Sequence, residues 1–356
     1  MHKRNVLVTW QVAFTYIGAL VGAGFASGQE SLQFFTVFGS CGIMGAVLSG
    51  LLFGLFGLLV IKIASLENMS NYGELLQFLF GKRLSIFIEV LLSVFLLLSL
   101  AIMLVAGGSL FNQLWDSPFS QGFFLTAIVL CVTLLVGTEG VLWLNTALIP
   151  GLVILSLVIG FFSLSNQEIV VSAFAELNLV GENWLLATWL YVSYNFILSA
   201  AILSTLGYTA KNGGQRGVLL GGILFGLMAG VISVSLLNQV SPAAEQAMPM
   251  LVLAYNVHPL MGWAYSFVLW IAILTTALSI SFGLLKRLEQ LLNWSKFIII
   301  LLIFIPTFPF LYLSFPQMVA TIYPIIGYSG FAFLCALLYK AFSQGYLTRK
   351  RNKGIK

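Results

Sequence analysis

The stretch YIGALVGAGFASGQE, Tyr16 to Glu30, places a carboxamide and a carboxylate, Gln29 and Glu30, directly after four glycines, Gly18, Gly22, Gly24 and Gly28. A second polar group, Tyr191, Ser193, Tyr194 and Asn195, sits inside WLLATWLYVSYNFILSAAILSTLGY. In a third stretch, IAILTTALSISFG, Ala272, Thr275 and Thr276 stand at i, i+3 and i+4, which turns one carbonyl and two hydroxyls to one helical face. These are groups that bind: a carboxylate, neutral hydroxyls and amides, and hard oxygens for a small cation. Catalysis lacks its parts. The two histidines, His2 and His258, fall in a tail and a loop, no HExxH occurs, and no His stands near a candidate Ser within an apolar run. Cys41, Cys131 and Cys335 are far apart, form neither a disulfide framework nor a metal cluster, and read as small apolar filler.

The elements that carry these groups are dictated by composition. With 60% hydrophobic and 8% charged residues and a mean hydropathy of +1.03, the chain has too little polar surface to cover a water-soluble body of its length. Runs of roughly 20 apolar residues, enough to cross about 30 Å of hydrocarbon, recur from end to end. The pattern predicts an all-α integral membrane protein with ten spans, at 6–36, 42–64, 84–110, 121–137, 140–163, 184–209, 217–237, 260–285, 297–315 and 317–339. A turn at Thr138-Glu139-Gly140 separates spans four and five. The whole of 1–339 is one transmembrane domain, and 340–356 is a basic tail.

Lys and Arg set the orientation. With the N-terminus in the cytoplasm, Lys3, Arg4, Lys62, Lys82, Arg83, Lys211, Arg216, Lys286, Arg287, Lys296, Lys340 and the five basic residues of 349–356 all fall inside, which accounts for all 16. The opposite loops carry Asp116, Glu168, Glu176, Glu182 and Glu245. This partition requires an even number of spans with both termini in the cytoplasm of a bacterial-type membrane. The net charge of +5 therefore reflects topology and some attraction to anionic lipid; it does not imply a nucleic acid partner. Glu89, near the cytoplasmic start of span three, is expected to snorkel or to pair with Lys82 or Arg83.

Each of the four early glycines weakens a helix by about 1 kcal/mol relative to Ala, so together they mark a break in span one, and Glu30 follows it at a depth where an ionisable group is expensive unless it faces an interior site. Two of the glycine pairs also fit the small-xxx-small spacing of close helix contacts. The polar cluster of span six predicts a second interruption. Spans one and six are five crossings apart, so the halves 6–163 and 184–339 enter the membrane from opposite sides, the arithmetic of a 5+5 inverted repeat with discontinuous helices 1 and 6.

The run GAGFASGQE, within this layout, resembles the YkvI-type amino-acid permeases of the amino acid, polyamine and organocation superfamily, which have the LeuT-like fold. The resemblance implies a secondary transporter that works by alternating access, with spans one, two, six and seven rocking against the rest. GALVGAGF also resembles the broken helix of sodium-coupled members. Carried over, Gly18 and Val21 offer carbonyls to sodium, completed by Ala272, Thr275 and Thr276, while the amides of Ala23 and Gly24 meet a substrate carboxylate; the dipole of the second half-helix extends that expectation to the amide of Phe25. Carbonyls near Tyr191 to Ser193 would take its ammonium, and Gln29, Tyr194 and Asn195 would tune selectivity. Thr back-bonding within a helix is the plain alternative for Thr275 and Thr276. Span five holds no lysine that could replace sodium, which leaves sodium or a proton at Glu30 as the coupling ion, with no other cofactor. A cationic or amine substrate at Glu30 also fits. A channel or a non-transporting ligand sensor on the same scaffold is the alternative function. The segment NQVSPAAEQAMPMLVLAYNVHPLMGW between spans seven and eight is expected to form a short lid helix, with His258 a satisfied loop histidine.

Overall fold

The computed structural model describes residues 2–136, 139–164, 183–237 and 246–346. The Thr138 turn, Glu168, Glu176, Glu182, Glu245 and the basic residues beyond 346 lie outside them. Every regular element among the described residues is helical: α1 His2–Leu20, α2 Ala23–Ser27, α3 Gln29–Phe34, α4 Gly39–Leu66, α5 Tyr72–Trp115, α6 Phe119–Val136, α7 Glu139–Leu164, α8 Trp184–Thr205, α9 Gly214–Leu237, α10 Pro249–Val257, α11 Pro259–Leu291, α12 Lys296–Phe304 and α13 Phe315–Ser343. Three-ten turns follow α3, α8 and α12 at Thr36–Phe38, Gly207–Asn212 and Ile305–Tyr312. Seven described helical stretches are long and apolar enough to cross a membrane, and three shorter apolar ones, Asn5–Leu20, Pro150–Ser163 and Lys296–Tyr312, fall where spans one, five and nine are expected.

Span one is broken where its glycines predict. The helical ladder of α1 ends with Val21 N–H donating to Ile17 C=O (2.8 Å) and resumes with Ala26 N–H donating to Gly22 C=O (3.0 Å), across an extended Gly22 (φ −88°, ψ 179°). Gly28, at φ +87°, then closes α2 after five residues and starts α3. Only glycine adopts that conformation at no steric cost.

The expected interruption of span six is absent. α8 runs unbroken through Tyr191–Asn195, because its polar side chains find partners without unwinding it. Ser193 Oγ donates to Leu190 C=O (3.0 Å) and to Gly327 C=O of α13 (2.6 Å), and Asn195 Nδ2 donates to Tyr191 C=O (3.4 Å). The irregular backbone comes later, at Gly207–Asn212. The discontinuous helix 6 is therefore corrected to a continuous one, and the carbonyls of 191–193 belong to its ladder.

Glu89 also differs from expectation. Its Oε2 meets Arg287 Nη2 of α11 at 3.0 Å, rather than Lys82 or Arg83, which follow the bend of α5 at Gly81 (φ +74°). Lys340 lies 5.4 Å from the Phe78 ring, and the Tyr346 hydroxyl donates to Glu67 Oε1. These contacts gather the basic ends of α5, α11 and α13 at one end of the bundle. His258 Nδ1 accepts from Leu260 N–H (3.2 Å) and so caps α11.

The frame is held by α4 against α9 and α8 against α13. A Cβ on Gly50 would collide with Gly226 Cα, and one on Gly222 would stand 2.5 Å from Gly54 N and 2.6 Å from Gly50 O. Backbones in contact maximise dispersion where lipid supplies no hydrophobic drive between helices. Gly222→Ala should therefore destabilise the fold by about 1–3 kcal/mol through overpacking. Thermal unfolding in detergent checks this against Gly283→Ala, where a Cβ meets nothing within 4 Å and stability should hold or rise.

Candidate functional site

The break between α1 and α2 opens on a cavity of about 240 Å³ bounded by α1, α2, α3, α5, α8, α11 and α13. Of the residues singled out in the sequence, Gly18, Val21, Ala23, Gly24, Glu30, Tyr194, Asn195 and Thr276 line it. From Glu30 the cavity extends past Thr276 to Ile202 and Ile280, toward the end of α11 that carries Lys286 and Arg287. At the opposite end the short helices α2 and α3 are covered by α10. Met250 packs on Gly28, Gln29 Nε2 donates to Gln246 C=O (3.2 Å), and Tyr265 OH donates to Ala26 C=O (2.5 Å). Gln113 of α5 grips the same segment twice, accepting from Met248 N–H (3.0 Å) and donating to Met248 C=O (3.4 Å). The expected lid helix is α10.

Glu30 is the charged group of the cavity wall. Its first-turn position on α3 turns the side chain back over α2, where a Cβ on Gly24 would collide with Oε1, so this glycine is what admits the carboxylate. Only 4% of Glu30 is exposed. Tyr191 OH donates to its Oε2 (3.2 Å), and the side chains of Tyr194 and Asn195 surround it. All are neutral donors. Tyr323 of α13 completes the setting: its ring stacks on Tyr194 at 4.7 Å and 19°, and its hydroxyl would lie 3.3 Å from a Cβ on Gly24. Sequence reasoning missed Tyr323. The signal was a tyrosine beside Pro324 in mid-span, in TIYPIIGYSG.

Other expected residues stand outside the cavity lining. Phe25 packs on Phe225 (5.1 Å), Gln29 Nε2 donates to Gln246 C=O ahead of α10, Tyr191 reaches Glu30 from behind, and Ser193 joins α8 to α13. The hard-oxygen set is divided. Gly18, Val21 and Thr276 share the cavity, whereas Thr275 Oγ1 donates to Ala272 C=O at 3.2 Å, back-bonding within α11. Among the described residues no group of three or more His, Cys, Asp or Glu could hold a metal ion, so a cation here meets neutral oxygens and Glu30.

An all-helical membrane bundle with its first helix broken beside a central cavity is the architecture of LeuT-like transporters. The fold matches MhsT, solved in complex with L-phenylalanine, with a TM-score of 0.63 and 16% identity, over 94% of this chain and 88% of that one. It also matches Mhp1, a nucleobase-cation-symport-1 family transporter solved with bromovinylhydantoin bound, with a TM-score of 0.53 and 13% identity over 95% and 75%. In sequence the chain is similar to the membrane protein YkvI of Bacillus subtilis (strain 168), at 28% identity over 341 residues, 93% of this chain and 95% of the relative. It is equally similar to YyaD of the same organism, at 28% over 333 residues, 92% and 96%. No protein-family model matches the chain. The likeness read from GAGFASGQE thus extends over nearly the whole sequence, and the solved neighbours are transporters rather than enzymes.

The α10 cover depends on Gly28. Gly28→Ala forces a side chain into a left-handed backbone, at roughly 1–2 kcal/mol, and a Cβ there would meet Met250 Cγ at 2.8 Å. In a background lacking Cys41, Cys131 and Cys335, the buried Ser27→Cys should react with a water-soluble maleimide several-fold faster once Gly28→Ala is added. An unchanged rate would mean that α10 does not seal this end.

Proposed function

We infer that the chain is an ion-coupled secondary transporter that moves a small amino acid or related amine across the cytoplasmic membrane by alternating access. The observation that carries this reading is the break at Val21–Gly22 opening on a cavity that holds the buried Glu30. A carboxylate in hydrocarbon is retained where it faces a transport path or a ligand. Free amides at the start of α2 favour an anion and free carbonyls at the end of α1 favour a cation. The proposed topology has ten spans, two inverted halves and both termini in the cytoplasm, supported by the gathering of basic ends on one side. On that orientation the cavity reaches toward the cytoplasm while α10 covers the outer end. One closed and one extended end are what an inward-facing carrier requires.

Sodium is the proposed coupling ion, with Gly18, Val21 and Thr276 around it and Ala272 and Thr275 joining when Thr275 turns from its own helix. A proton on Glu30 is the other coupling route. Purified protein in liposomes, given labelled amino acids and amines, tests both. Accumulation against a gradient with sodium outside, lost with potassium and weakened at least tenfold in Thr276→Ala, is the expected result. Accumulation driven by a pH gradient and indifferent to sodium would move the coupling to Glu30. Binding with no uptake would leave a sensor, and dissipative flux alone a channel.

A further inference from the structure

We propose that Glu30 makes this site selective for net positive charge, and that its cargo is a small organic ammonium ion with an apolar body and no carboxylate of its own. The inference rests on the transporter reading for the word cargo, and on the cavity alone for the charge.

The residues that line the cavity include no Lys, Arg or His, and Glu30 is the acid among them. The ion pairs Lys286–Glu289 and Arg287–Glu89 involve other carboxylates. Tyr191 donates a hydrogen bond to Glu30, and Tyr194 and Asn195 stand beside it, but none of them brings a countercharge. A carboxylate taken out of water is poorly repaid by neutral donors, so a bound cation that pairs with it gains more than the same skeleton uncharged. The aromatic surroundings suit an ammonium. Tyr194 and Tyr323, stacked on each other at 4.7 Å, both line the cavity beside Glu30, and aromatic rings attract cations.

The same geometry disfavours a zwitterion. The turn of α2 whose amides would take a substrate carboxylate already has the Glu30 carboxylate lying against Gly24. A second negative charge beside it is repelled in a site shielded from water. Leu92, Phe95, Met103 and Ile326 make an apolar stretch of the wall suited to a hydrocarbon body, beside the hydroxyls of Ser99, Thr276 and Ser279.

Matched ligands separate these possibilities. The full-length protein in detergent is heated with phenylalanine, valine and leucine, with the corresponding amines (phenethylamine, isobutylamine and 3-methylbutylamine), and with alcohols of the same skeletons, in sodium and in potassium chloride. A ligand that binds only the folded state raises the unfolding midpoint. At least one amine should raise it at concentrations where its amino acid and alcohol do not. Glu30→Gln should weaken that amine at least tenfold. Gly24→Ala, which displaces the carboxylate without removing it, should weaken it too, so the inference does not hang on one variant folding. Ligand-free midpoints and gel-filtration profiles show that each variant is folded. An amino acid that stabilises better than its amine, an amine effect that survives in both variants, or no effect from any amine overturns the inference. Sodium-driven uptake of an amino acid without any amine effect would overturn it and leave the carrier standing. Amine binding that needs Glu30 but yields no uptake would overturn the carrier and leave charge selection standing.

Discussion

In hydrocarbon no water is available to satisfy a backbone N–H or C=O, so a helix can stop inside the membrane only where protein or a polar cavity takes over its hydrogen bonds. The arrangement around Val21–Gly22 follows from that constraint. The last carbonyls of α1 and the first amides of α2 are freed at the same depth, and the cavity forms where they are freed. The break then recurs six residues later at Gly28, which isolates α2 as a single turn fastened through Ala26 and Gly28 to α11 and α10. A buried carboxylate beside such a turn adds a second demand on the same small volume, met by the Tyr191 hydroxyl of α8.

A break of this kind must be carried by something rigid. α4 and α9 meet backbone to backbone at Gly50, Gly222 and Gly226, and α8 meets α13 at Gly327 and Gly330, where Ser193 adds a hydroxyl bond across the contact. Small residues at these positions let long helices lock by dispersion, which keeps Tyr191 and Tyr194 on one side and Tyr323 on the other at fixed distance from Glu30. The glycines of the chain thus divide into two kinds. Gly22 and Gly28 serve backbone conformation; Gly50, Gly222 and Gly327 serve proximity.

Much of this was legible in the sequence where it depended on local composition. Hydropathy located the apolar helices, and the glycine run followed by Glu30 located the break, since both signals are concentrated within a few residues. The cluster Tyr191–Asn195 misled because polar residues within a span need partners, which can come from an unwound backbone or from carbonyls three and four residues back and a neighbouring helix; sequence does not distinguish these. Glu89 misled for the related reason that Lys82 and Arg83 are near in sequence, whereas Arg287 is near only after α11 has packed on α5. Tyr323 and the grip of Gln113 on Met248 are likewise products of packing between distant segments. Ser193 and Thr275 make a helix contact and a helix back-bond, two ordinary uses of a polar residue in a span that sequence alone does not reveal.

On the proposed reading, the position of Glu30 would link charge recognition to movement. It belongs to α3, one of two short helices bounded by glycine joints, while the hydroxyl that donates to its carboxylate belongs to α8, which packs on α13. On the proposed reading, a cation that pairs with Glu30 would touch both elements at once and change the interaction between them. The segment that holds α10 is attached to the same short helices through Gln29 and Gly28. A ligand can shift an equilibrium between outward and inward states only by the difference in its affinity for them. A carboxylate mounted on the jointed segment, with donors on the frame, is a means by which one small cation can have that difference.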